Sequence, residues 1–361
     1  MVSALRVRLA HTTAALVVAT MLAGCAEPER ELRLDAAVPA TGAALVWPPS
    51  PEVPRYLYAG QLTGEDNLRE VGGQGREGAA ALLAWIVGLG QSRDAPVVLQ
   101  RPQSGAVDGA GRVYVTDVSH QAVFVFDEPA ARMLVWHEAE PGVRFVAPIG
   151  VLPLPSGDVL VTDAELGAVF RFGHDGESRG RFGDDVLTRP TGIARDPERR
   201  LVFVADTREN DIKVFDETGV LVDYIGRHGK AVGELNAPTH IAWSRGRLYV
   251  SDTLNSRVQV FDREGAVVEH FGERGLYVGN LTRPKGIAVD DEGNIYVVES
   301  YYDYLLVYDA EGRLLLPIGG TGKAPGQFYL PAGVWTDARS RVYVADMFNG
   351  RVSIFQFLGG S

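Results

Sequence analysis

The 361-residue sequence contains a single cysteine, which rules out an intramolecular disulfide. It has no run of lysines and arginines, and its formal net charge is −11. Both features argue against a nucleic-acid partner, because such binders carry a basic patch that displaces counterions. The seven histidines (His11, His120, His137, His174, His228, His240 and His270) never stand at i, i+4, the spacing of a helical zinc pair. Gly-x-Ser-x-Gly, P-loop and Cys-x-x-Cys-His motifs are also missing. The sequence therefore yields no catalytic residue, no metal ligand and no cofactor.

The N-terminus carries an export pattern. Arg6 and Arg8 precede an apolar stretch from Leu9 to Ala23, and Glu27, Pro28, Glu29 and Arg30 follow closely. That is short for a membrane span and fits a signal peptide over 1–24. The stretch ends in Leu22-Ala23-Gly24-Cys25, which resembles the bacterial lipobox. The resemblance implies lipidation of Cys25 and a membrane anchor of more than one acyl chain, enough for stable attachment. Ala26, where an Asp would be the retention signal of two-membrane bacteria, implies the periplasmic face of the outer membrane. Six prolines between 26 and 54 interrupt a polar stretch without strand or helix period, so 25–54 reads as a lipidated, proline-rich tether.

From residue 55 onward one pattern recurs six times: a proline, a short apolar strand, a turn, a strand closed by an acid, a turn and a third strand. The prolines are Pro102, Pro148, Pro190, Pro238, Pro284 and Pro331; the acids are Asp117, Asp163, Asp206, Asp252, Glu299 and Asp346. A fourth strand ending in an apolar residue and glycine follows most copies, as in Phe182-Gly183 and Ile225-Gly226. Four short strands in each repeat of 43 to 47 residues is the period of a β-propeller blade. The sixth copy lacks its fourth strand. Arg55-Tyr56-Leu57-Tyr58-Ala59-Gly60 supplies an orphan strand to close it, which predicts an all-β, six-bladed propeller over 55–361.

Asp252-Thr253-Leu254-Asn255-Ser256-Arg257-Val258 and Asp346-Met347-Phe348-Asn349-Gly350-Arg351-Val352 resemble the signature of NHL repeats. The resemblance extends over about four-fifths of the chain and implies architecture rather than chemistry, since that fold hosts protein binding, RNA binding, lyase and lactonase activities.

The recurring acids read as structural, accepting backbone N–H bonds from the following turn. Gly192, Gly286 and Gly333 read as allowing close backbone approach near the axis. Function is expected where the loop into the first strand and the second-to-third turn share one face. The candidate binding face comprises Arg101, Arg189, His240, Arg283 and Lys285 near the axis, with His120, Tyr301, Tyr302, Met347 and Phe348 further out. Arg101, Arg189 and Arg283 each precede an anchor proline, and such a cluster suits an anionic ligand. Tyr301, Tyr302, Met347 and Phe348 have the composition of an exposed interaction surface. A non-repeat insertion at 63–98, apolar in its middle, reads as a cover, lid or docking patch.

The leading expectation is a monomeric, membrane-tethered lipoprotein scaffold that binds an envelope protein without catalysis. The alternatives are a sensor of a small anionic ligand, and a metal-dependent propeller lyase or lactonase with His240 among its ligands.

Overall fold

A computed structural model describes residues 30–34, 44–70 and 96–359. The signal peptide, Cys25 and most of the 63–98 insertion lie outside the described residues. The chain divides into two compact units. One comprises 1–31 and 69–92; its described residues, 30–31 and 69–70, belong to the short strands Arg30–Leu32 and Leu68–Glu70. The other comprises 32–68 and 93–361, and is a six-bladed β-propeller.

Blade 1 uses the strands Pro102–Val107, Val113–Asp117, Ala122–Asp127 and Arg132–Trp136. Blades 2 to 5 repeat this order from Pro148–Pro153, Pro190–Asp196, Pro238–Ser244 and Pro284–Val289. Every neighbouring pair within a blade is antiparallel, as in blade 3, where Leu201–Asp206 registers against Asp211–Asp216. The turns have a chemical cause. In Asp216-Glu217-Thr218-Gly219 the Asp216 carboxylate accepts the N–H of Thr218 (2.9 Å) and Val220 (3.0 Å), while Gly219 takes φ 94°. The same Asp-x-x-Gly arrangement recurs at Asp262–Gly265 and Asp309–Gly312, each with the aspartate accepting backbone N–H groups.

Blade 6 closes the ring. Its inner strands are Val334–Thr336, Arg341–Asp346 and Arg351–Phe357, and its fourth is Tyr56–Leu62 from the other end of the chain. Phe357 registers against Tyr56 and Val352 against Leu62. The predicted closure is present; the strand starts one residue later than the orphan strand read in the sequence and runs two residues further. A fifth strand, Val46–Trp47, pairs with Tyr56 and Leu57, and Trp47 packs edge-on against Phe355 at 5.4 Å. The strand-free spacer expected over 25–54 is thus corrected near its end: an apolar Val-Trp pair finds an open sheet edge.

Each sheet is covered on both faces by its neighbours, so central strands such as Val113–Asp117 are buried along their whole length. Six apolar clusters lie between successive blades. Tyr114, Phe170 and Phe172 join blades 1 and 2, while Tyr343, Ile354 and Phe124 join blades 6 and 1.

The recurring acids tie each blade's incoming loop to its own turn. Asp117 accepts the N–H groups of Gln100 (2.7 Å), Arg101 (2.9 Å), Ser119 (2.9 Å) and His120 (3.0 Å). Asp163 and Asp206 do the same in blades 2 and 3. In blades 4 and 6 a buried guanidinium joins in: Arg257 reaches Asp252 and Arg351 reaches Asp346, both at 2.8 Å. These latches position the loop face.

Candidate functional site

Antiparallel topology places three features at one end of every blade: the start of the first strand, the second-to-third turn, and the connection to the next blade. Around the axis, the repeat serves as its own control. Two residues after the anchor proline stand Gly150, Gly192, Gly286 and Gly333. A Cβ on Gly192 would lie 2.8 Å from the His240 Cα, and one on Gly286 would lie 2.5 Å from the Val334 nitrogen. The glycines at 192, 286 and 333 therefore permit the close backbone approach expected of them.

In blade 1 the registered equivalent is Ser104, and in blade 4 it is His240. The preceding position is Gln103, Ile149, Thr191, Thr239, Ala332 and, in blade 5, Lys285. The axis thus departs from its own pattern with a histidine and a lysine from adjacent blades. Below them a channel of about 290 Å³ is lined by first strands of all six blades, including Ile193, Ile241, Ile287 and Trp335.

Both ring nitrogens of His240 are buried and without a hydrogen-bond partner, although the residue as a whole is only partly covered. Burial, then the neighbouring Lys285 charge, pushes its pKa down to about 3 against a smaller opposing contribution from the Gln103 backbone, so the ring is neutral at pH 7. Burial also lowers the Lys285 pKa, followed by repulsion from Arg283 and Arg101. The three cations therefore sense one another. Among the described residues none of them makes an ion pair. Arg101 lies over the Phe348 ring at 5.5 Å.

The other predicted residues have local roles. Arg189 pairs with Glu165 of blade 2 at 2.5 Å and leaves the cluster. Met347 is buried, not exposed as expected, because its sulfur accepts a hydrogen bond from Gln103 Nε2 at 3.0 Å. His120 Nε2 contacts the Val98 carbonyl at 2.7 Å, and its ring packs on Phe124. The Tyr302 hydroxyl donates to Gly275 O at 3.1 Å, while Tyr301, edge-on to it, is 57% exposed.

Further out, three interblade connections share one frame: Gly229–Glu234, Gly275–Asn280 and Gly322–Gln327. In each, the last side chain folds back to accept backbone N–H groups: Glu234 from Ala231, Asn280 from Tyr277 and Gln327 from Ala324. Two frames carry Lys-Ala after the glycine; the third carries Leu276-Tyr277, exposed by 86% and 83%. Leu254, Tyr329 and Phe348 are also exposed on this face of blades 4 to 6, and Tyr329 meets Phe348 at 5.6 Å. The sequence reading missed Leu254, Leu276, Tyr277 and Tyr329. Aligning the three connections with one another would have exposed the Leu-Tyr departure.

Among the described residues no group of three His, Cys, Asp or Glu side chains converges to hold a metal ion.

A family described as a 6-bladed beta-propeller (DUF5128) matches residues 233–316. No curated protein matches the sequence. Solved structures share the fold at low identity. Virginiamycin B lyase from Staphylococcus aureus is 14% identical with a TM-score of 0.54, over 71% of this chain and 80% of that one. Kuenenia stuttgartiensis hydrazine synthase is 14% identical with a TM-score of 0.52, over 74% and 99%. An auxiliary nutrient binding protein from Bacteroides ovatus is 15% identical with a TM-score of 0.55, over 73% and 70%. Proteins so differently named show that the scaffold is shared, and that function must be argued from this chain's own surface.

Proposed function

We propose that the protein is an exported NHL-type propeller lipoprotein, anchored through Cys25, which binds an envelope protein through the loop face of blades 4 to 6 and performs no catalysis. The observation that carries this reading is the exposure of Leu254, Leu276, Tyr277, Tyr301, Tyr329 and Phe348 at one end of three consecutive blades. Aromatic and aliphatic groups grouped in this way are the anchors of protein interfaces. The Lys-Ala pairs of the sister connections support it further, since the frame does not require Leu-Tyr at its tip.

A photo-crosslinking residue at Tyr277, in protein expressed in its own envelope, is expected to capture one dominant protein. With the crosslinker moved to Tyr301, changing Leu276-Tyr277 to Lys-Ala should abolish that capture. Equal capture from a crosslinker at Val220, in a turn at the opposite end of blade 3, would reject the assignment of the face. The anchor has its own test. Cys25→Ala is expected to move the protein from the membrane to the soluble periplasmic fraction; a variant still wholly in the membrane would remove the lipid from the account.

A further inference from the structure

We infer that the mouth of the axial channel binds a small oxyanion, with Lys285, Arg101 and Arg283 supplying charge and His240 a hydrogen-bonding ring nitrogen. The site borders the aromatic rim, Arg101 lying over the Phe348 ring, but its anion test is independent of protein capture by that rim.

Three observations converge on it. First, the two places where the axial pattern departs most in size and charge, His240 for glycine and Lys285 for a neutral residue, come from the starts of first strands in adjacent blades; His240 lines the channel and feels the Lys285 charge. Independent drift would not be expected to put both there. Second, the cations lack ion-pair partners among the described residues for a structural reason. The acids that latch these loops are turned toward the backbone: Asp117 accepts the Arg101 N–H at 2.9 Å, and Glu299 accepts the Arg283 N–H at 2.9 Å. The carboxylates that fix the loops thereby form no ion pair with the guanidinium groups of the same residues, although the Arg283 charge still acts on Glu299 at longer range. Holding three cations together on a chain of net charge −11, with no ion-pair partner among the described residues, costs free energy that a bound anion offsets.

Third, the buried ring nitrogens of His240 have no partner in hydrogen-bond geometry, the Gln103 backbone offering at most a weak one, so at least one nitrogen is an unmet demand. Buried polar atoms in native proteins are hydrogen-bonded, to protein, water or ligand. A neutral imidazole offers one N–H donor, which suits an oxyanion held mainly by neighbouring charges.

The ligand class follows. Guanidinium forks match the paired oxygens of carboxylate and phosphate. The channel, at about 290 Å³, holds on the order of ten water-sized groups, so the ligand is a small molecule and not a polymer.

The test is titration of the intact mature protein with inorganic phosphate and, separately, with succinate, at ionic strength held constant with chloride. Calorimetry is the primary readout, with tryptophan fluorescence as the second because Trp243 and Trp335 line the channel. Saturable binding of either anion at one site is expected; which of the two binds identifies the source class. Lys285→Met should weaken binding at least about tenfold. The exposed double variant Arg101→Gln/Arg283→Gln should do the same, and it keeps the test open if Lys285→Met fails to fold. His240→Gly, which restores the axial pattern, should also weaken binding, whereas Arg313→Gln on the opposite face should not. Absence of saturation with both anions in the unmodified protein, or affinity unchanged in the folded charge variants, would overturn the inference.

Discussion

At the scale of single residues, the same carboxylate can look catalytic in a sequence and prove to be a latch. Asp252 is fully buried and accepts from Asn236 N (2.7 Å), Asn255 Nδ2 (2.8 Å), Arg257 Nε (2.8 Å) and Gln259 Nε2 (3.2 Å). Removing it leaves the Arg257 guanidinium largely buried without its charge partner, so Asp252→Ala is expected to cost about 3–5 kcal/mol, measured by urea unfolding. A loss below about 1 kcal/mol would show that the latch is dispensable. This role was legible before any coordinates, because an acid at the same strand end in all six repeats cannot be a single active site. His240 was legible only as a residue to check, since its neutrality arises from burial that spacing does not reveal. Its folded pKa, about 3, lies below the ordinary 6.5. Below pH 6.5 the unfolded chain takes up a proton that the folded chain refuses, so stability falls with decreasing pH across the window from 6.5 to 3. Burial and the neighbouring guanidinium charges also lower the Lys285 pKa, and that group is common to the parent protein and the His240→Gln variant. Between pH 7 and 5, in buffer without phosphate or carboxylate, this one ring should contribute a loss of about 2 kcal/mol. His240→Gln should lack that component; parallel pH profiles for the two proteins would show that the ring is not buried neutral.

At the scale of elements, strands and connections obey different rules of legibility. Strands Val113–Asp117 and Leu201–Asp206 were readable because apolar residues in a short run between turn signals have few other places to go. Connections were not. A loop residue's exposure depends on which way a frame of backbone hydrogen bonds points it, and no period encodes that direction. Met347 and Phe348 show this: neighbours in one turn, one is buried against Gln103 and the other is 48% exposed. The same logic predicts the outcome of exchanging Leu276-Tyr277 for Lys-Ala. The frame is held by Asn280 accepting from Tyr277 N, a backbone contact that survives the change, and the side chains lie in solvent. Stability should therefore change by no more than about 0.5 kcal/mol in urea unfolding. A larger loss would mean that the tip packs on the propeller and is not a free surface.

At the scale of the whole propeller, stability depends on closure, because a ring of blades has no capping repeat to protect its ends. Tyr56, Tyr58 and Leu62 are buried in the closing strand, and the Tyr56 hydroxyl lies 3.1 Å from that of Tyr296 in blade 5. That strand thus joins one blade to itself and to its neighbour. A chain beginning at residue 63 would forfeit the burial of three large side chains, about 6 kcal/mol at roughly 2 kcal/mol each, a large part of an ordinary folding margin. It would also leave Arg351–Phe357 as an unpaired edge. The expected result is a protein that is unfolded or that pairs edge to edge as a dimer, read by light scattering and circular dichroism. A synthetic peptide of residues 54–64 should restore a folded monomer by adding the missing strand in the native register. A truncated chain that stayed monomeric with an unchanged thermal midpoint would mean that the ring is held by its interblade cores alone.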